Sequence, residues 1–144
     1  MPVGRKILIM GLSGSGKTTL AKELVSRLNA VHFNSDEVRE NINRDLSFSE
    51  PDRVEQARRM GWLCDQVVKT GAIAIADFIC PTEECRKAFN KGGEALIVWL
   101  DRTDQCQYED TNQLFSPPDR FDVRVTAEGT PQSLADFIAS KVRP

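Results

Sequence analysis

Gly11-Leu12-Ser13-Gly14-Ser15-Gly16-Lys17-Thr18 satisfies every fixed position of the pattern G-x-x-x-x-G-K-[ST]. The chemistry accounts for each position. Glycines let the backbone curl so that successive N–H groups point inward at phosphate oxygens. A helix that starts at the end of such a loop adds the partial positive charge of its N-terminus. Lys17 is placed to reach the β- and γ-phosphates of a nucleotide, and the Thr18 hydroxyl to hold Mg²⁺. The expected ligands are therefore ATP and Mg²⁺. The expected contacts are Gly11, Ser13, Gly14, Ser15, Gly16, Lys17, Thr18 and Thr19, with Ser15 and Gly16 contributing backbone amides only. The bland alternative is a Gly/Ser turn before an ordinary helix. Context argues against it, because a strand-like segment precedes the loop and an amphipathic helix follows.

Outward from the loop, strand and helix patterns alternate. Lys6–Met10 is an apolar run ending in glycine and reads as a buried strand. Lys17–Asn29 has apolar residues at helix spacing, at Leu20, Leu24, Val25 and Leu28. Val31–Asn34 reads as a second strand and Asp36–Asn43 as a short helix. Ser49-Glu50-Pro51-Asp52 is a helix start, with a Ser cap and Pro in the first turn, and that helix is expected to reach about Lys69. Ala72–Ala76 reads as a central strand and Thr82–Asn90 as a short helix. Ala95–Leu100 and Asp122–Thr126 are further strands, and Pro131–Val142 closes the chain as a helix. Such alternation implies an α/β fold of three layers, a parallel sheet with helices on both faces, and the loop motif makes it one of the P-loop NTPase/kinase type. With no linker or repeat, residues 1–144 are expected to form a single domain. Tyr108–Arg120, with Pro117-Pro118, reads as a loop at the functional end of the sheet.

Lys and Arg number 19 against 21 Asp and Glu, a net charge of −2. That balance counts against a nucleic-acid partner, which is gripped by a basic excess. No apolar stretch is long enough to cross a membrane, and no signal-peptide pattern opens the sequence. A cytoplasmic location is expected. Cys64, Cys80, Cys85 and Cys106 fit no zinc spacing and read as free thiols. The oligomeric state stays open, with a homodimer among the options.

The segments after the loop narrow the family. Asn34-Ser35-Asp36-Glu37-Val38-Arg39 is followed by Asn43-Arg44-Asp45-Leu46-Ser47-Phe48-Ser49 and by Asp52-Arg53-Val54-Glu55-Gln56. These resemble the D-G-D-N-V-R, N-R-D-L-G-F-S and D-R-x-E-N segments of adenylylsulfate (APS) kinases, and Phe78-Ile79-Cys80-Pro81 resembles their F-I-S-P turn. The resemblance runs from Lys6 to about Lys87. It implies transfer of the γ-phosphoryl group of ATP to the 3′-hydroxyl of APS, within sulfate assimilation. It implies that Arg39 and Arg53 bind the phosphosulfate or ribose side of that small nucleotide and that Phe48 stacks on its adenine. Gln56 and Ile79 would line the same site, and Asp36 would stand near the attacking hydroxyl as a catalytic residue beside Lys17. Read without the resemblance, Arg39 and Arg53 could be solvated helix residues, Phe48 a core anchor and Asp36 a helix cap. Asp77, ending an apolar strand, reads either as a metal ligand alongside Thr18 or as a cap.

Three departures from the family pattern stand out. Asn34-Ser35 replaces Asp-Gly, which removes one carboxylate. Cys80 replaces the Ser of F-I-S-P. The family's lysine-rich lid is replaced by the shorter Asp110–Arg120 segment, which has no lysine. The lid change keeps open a kinase for another hydroxyl acceptor, such as a sugar, a nucleoside or a polynucleotide end, and the carboxylate lost at Asn34 keeps open a nucleotide-binding protein without useful catalysis.

Overall fold

The structure, a computed structural model, describes residues 4–102, 114–126 and 129–142. Strands β1 (Arg5–Met10), β2 (Val31–Asn34), β3 (Ile73–Asp77), β4 (Leu96–Leu100) and β5 (Val123–Val125) form one sheet in the order β2-β3-β1-β4-β5. Every pairing is parallel. The crossovers are made by α1 (Lys17–Leu28), α2 (Ser35–Asn41), α3 (Glu50–Val68) and α4 (Glu83–Phe89), and α5 (Pro131–Val142) follows the last strand.

Strand alternation divides the core into two layers. Ile7 and Ile9 of β1, Ile73 and Ile75 of β3, and Val98 of β4 face α1 and α5. Leu8, Met10, Ala74, Ala76, Ile97 and Trp99 face α3 and α4. Both faces of the central strands are thus covered, which is why they read as unbroken apolar runs rather than alternating ones. Close approach of α3 and α4 depends on Gly61, where a Cβ would stand 2.3 Å from the Phe89 carbonyl oxygen.

The caps follow from the sequence. Ser49 accepts from the Asp52 N–H to open α3, and Thr82 accepts from the Cys85 N–H to open α4. A buried Lys6 at the amino end of the sheet donates to Asp65 at 2.9 Å and to the Phe89 carbonyl at 2.8 Å, tying β1 to α3 and α4. The carboxyl ends of the strands are left to the phosphate loop and the segments around it, the usual place for a site in such a sheet. Among the described residues, no helix is long and apolar enough to cross a membrane.

Candidate active site

The loop between β1 and α1 takes the backbone form its glycines permit. Gly11, Gly14 and Gly16 have φ of 148°, 89° and 98°, values that side-chain-bearing residues rarely adopt. Gly16 is the N-cap of α1. Lys17 is folded onto the loop, with Nζ donating to the Leu12 carbonyl at 3.0 Å. The Ser15 N–H closes a 3.2 Å turn on the Leu12 carbonyl. That amide serves the loop's own curvature, and the Ser15 side chain is buried.

At the foot of the loop two strand-end side chains, Asp77 and Asn34, meet Thr18, and His32 meets Asp77. Thr18 Oγ1 donates to Asp77 Oδ1 at 3.0 Å. Asn34 Nδ2 lies 3.3 Å from Thr18 Oγ1 and 3.3 Å from each Asp77 oxygen. His32 Nε2 stands 2.5 Å from Asp77 Oδ2. Asp77 is only 1% exposed, yet each of its oxygens has a partner, as a buried carboxylate requires. A hydroxyl and a carboxylate oxygen at one point are the hard donors Mg²⁺ takes, with phosphate and water oxygens completing its shell. Among the described residues no group of three His, Cys, Asp or Glu could hold a metal unaided. The residues therefore fit Mg²⁺ carried in with a nucleotide.

A cavity of about 590 Å³ opens above this point. Ser13, Gly14, Gly16, Lys17, Thr18 and Thr19 line its phosphate side; Asp36, Arg39, Phe48, Arg53, Gln56 and Ile79 line the other, with Asp77 between. Of the expected residues, only Gly11 and Ser15 stand outside the lining. Gly11 has a backbone role, since a Cβ there would lie 2.5 Å from the Leu100 carbonyl oxygen.

The acceptor side is held by the Asn43–Ser49 segment folding over the start of α3. Asn43 donates to Gln56 at 2.7 Å, Arg59 pairs with Asp45 at 2.8 Å, and Asp52 accepts from the Ser47 hydroxyl at 2.7 Å. These bonds present Phe48 between two guanidiniums, Arg39 at 4.3 Å and Arg53 at 5.6 Å from its ring centre. Arg39 also donates to the Ser47 carbonyl and Arg53 to the Phe48 carbonyl. Burial and the neighbouring Arg53 charge hold the Arg39 guanidinium below its ordinary value, against the pull of Asp36 and Asp52.

Several open readings close here. Phe48 is 62% exposed and is no core anchor, whereas Arg53 is 9% exposed and is no solvated helix residue. The cap of α2 is Asn34, which accepts from the Asp36 and Glu37 N–H groups, so Asp36 sits in the first turn with its side chain exposed. Gln56 is buried, and its amide also donates to the Ser35 carbonyl at 3.2 Å.

Three residues were not singled out in the sequence. His32 is the chain's one histidine, and a lone histidine in a four-residue strand carries no pattern. Arg86, 3% exposed, donates to the carbonyls of Pro81 and Ser116 and so ties the Pro117-Pro118 segment to the Phe78–Pro81 turn. Arg102, just past β4, brings a guanidinium nitrogen within 3.8 Å of where a Gly16 Cβ would lie. Residues 110–113 of the expected lid, and Cys106, fall outside the described residues. Cys64, Cys80 and Cys85 are buried free thiols. Burial raises the Cys64 thiol to about 12 and Cys80 well above its ordinary value, so both stay protonated and unreactive near neutrality.

Comparison with known proteins agrees with this geometry. The adenylylsulphate kinase family model matches residues 3–124. An adenylyl-sulfate kinase of Bacteroides fragilis is 44% identical, over 84% of this chain and 64% of that protein. One of Clostridium kluyveri is 34% identical, over 78% of this chain and 60% of that protein. The chain thus spans about two thirds or less of the length of these curated relatives. A solved Mycobacterium tuberculosis APS kinase in complex with AMPPNP and APS superposes with a TM-score of 0.87 over the whole of both chains, at 22% identity, a likeness of fold. With a family model matched over most of its length, on a P-loop kinase sheet, the chain belongs to the adenylylsulphate kinase family.

Proposed function

We propose that the chain transfers the γ-phosphoryl group of ATP to the 3′-hydroxyl of adenylylsulfate. The observation that carries this reading is the Arg39–Phe48–Arg53 cluster facing the phosphate loop across one cavity. Two guanidiniums suit a phosphosulfate, and an exposed ring between them suits a purine. The family membership supports the same acceptor.

The chemistry is an in-line displacement. The acceptor oxygen forms a bond to the γ-phosphorus, the bond from that phosphorus to the β–γ bridging oxygen breaks, and ADP leaves. Asp36, exposed on the cavity wall, orients the acceptor hydroxyl and takes its proton. Lys17 leaves the Leu12 carbonyl for the β- and γ-phosphate oxygens and stabilises the charge that builds there. Thr18 and Asp77 would hold Mg²⁺, which supplies charge neutralisation on the same oxygens. Arg39 and Arg53 fix the acceptor, and the loop amides fix the donor, so that positioning does most of the work.

A second reading, a kinase for another alcohol, is favoured by one observation: Asp110–Arg120 carries no lysine where the family's lid is lysine-rich. A screen of ADP release with APS, sugars and nucleosides as acceptors separates the two. A response to APS alone supports the first reading, and a faster response to another alcohol supports the second.

A further inference from the structure

Positions 34 and 77 end neighbouring parallel strands and face each other in register. The family pattern described above has a carboxylate at 34, the first Asp of D-G-D. This chain reverses that placement, with an amide at Asn34 and a carboxylate across from it at Asp77.

The hydrogen bonds explain why the reversal is coherent. Asn34 Oδ1 accepts from the Asp36 and Glu37 N–H groups at 3.0 and 3.1 Å, which fixes the amide's orientation. Its Nδ2 is thereby turned toward Thr18 and Asp77, 3.3 Å from Thr18 Oγ1 and from both carboxylate oxygens. A carboxylate at position 34 could cap α2 equally well but has no proton to give Asp77. It would set two carboxylates side by side, which repel. His32 lies two residues earlier on the same face of β2 and engages Asp77 Oδ2. Two nitrogens of β2 therefore brace the carboxylate, and its Oδ1 remains with Thr18.

We propose that the carboxylate of this site has moved one strand across the sheet, from position 34 to position 77, and that Asn34 and His32 are positioning residues holding Asp77 against Thr18. Either position reaches Thr18, so the exchange keeps a carboxylate beside the same hydroxyl. The inference rests on the reading of the site as one for a nucleotide with Mg²⁺. It does not depend on which acceptor is used.

The test measures ADP affinity by titration calorimetry, with Mg²⁺ and with EDTA, and takes the ratio as the Mg²⁺ enhancement. Asp77→Asn is expected to lower that enhancement by about tenfold or more, with the EDTA affinity unchanged. Adding Asn34→Asp to Asp77→Asn is expected to return most of it, because amide and carboxylate then trade strands and the hydrogen bond between them re-forms in the opposite sense. Asn34→Ser keeps a helix-capping oxygen but offers Asp77 no amide, and is expected to lower the enhancement by about tenfold at unchanged thermal stability. Wild-type enhancement in Asp77→Asn overturns the proposal. So does an exchanged variant that unfolds cooperatively yet stays at the Asp77→Asn level. Should the exchanged variant not fold, Asn34→Ser decides, and wild-type enhancement there overturns the positioning role. No acceptor enters the measurement, so a failure to phosphorylate APS would sink the proposed function and leave this result standing. Loss of ADP binding in the wild type would instead refute the nucleotide reading.

Discussion

The phosphate side of the cavity is made from backbone and buried side chains, whereas the acceptor side is made mainly from side chains of α2, α3 and the segment between them. On the first, glycine dihedrals shape the loop and Asp77 is locked between three partners at 1% exposure. On the second, Phe48 is 62% exposed and Arg39 half-buried, and both owe their places to the Asn43–Ser49 segment resting on α3. Backbone donors aimed at a phosphate cost no reorganisation when charge develops. An exposed ring and long guanidinium side chains must be ordered by the ligand they bind, which takes part of the binding energy. The phosphate side should therefore be rigid and intolerant of change, and the acceptor side graded and adaptable.

The sharpest break in that contrast comes from Lys17→Ala. It should lower kcat by about 10³-fold, the scale of removing a preorganised charge stabiliser, while the protein stays folded; steady-state kinetics beside a circular dichroism melt check it. Next in size is Arg53→Ala, expected to raise KM for APS by about 100-fold and leave KM for ATP within about twofold. Equal changes in both constants would mean the two sides are not separable. Phe48→Ala should raise KM for APS by about tenfold, the size of one stacked base, with no change in melting temperature because the ring is exposed. A fall in melting temperature would make Phe48 a structural residue after all.

The smallest effect concerns pH and the core beneath the site. A thiol whose folded value is raised contributes stability that is complete below its unfolded value near 9.0 and is lost as pH climbs toward the folded value, about 12 for Cys64. Melting temperature should fall from about pH 9 upward. Cys64→Ala should show a shallower fall, whatever its stability at neutral pH, and a slope identical to wild type would contradict the assignment.

The same contrast governs what was legible in the sequence. Lys6–Met10 and Ala72–Ala76 announce themselves because both faces of β1 and β3 are buried, and the observed bounds, Arg5–Met10 and Ile73–Asp77, differ by one residue at the start of β1 and by one at each end of β3. The loop was readable because its chemistry needs fixed residue types at fixed spacing. The strand-end cluster was not readable as a cluster. Asp77 could be seen as ending a strand, but its meeting with His32 and Asn34 depends on β2 lying beside β3 in register, a long-range fact with no local pattern. The capping role left open for Asp36 fell to Asn34 for a local reason, since the chain turns from strand to helix two residues earlier. Arg86 was missed because its partners, Pro81 and Ser116, lie on segments joined only by the fold.

The central claim is that a loop built for a triphosphate and a cluster built for an anionic purine nucleotide act across one cavity. Its most direct test is coupled ADP release with ATP and Mg²⁺, with and without APS, beside Lys17→Ala. The account predicts APS-dependent ADP formation that the variant abolishes. A folded protein that binds ATP and gives no response to APS would contradict it.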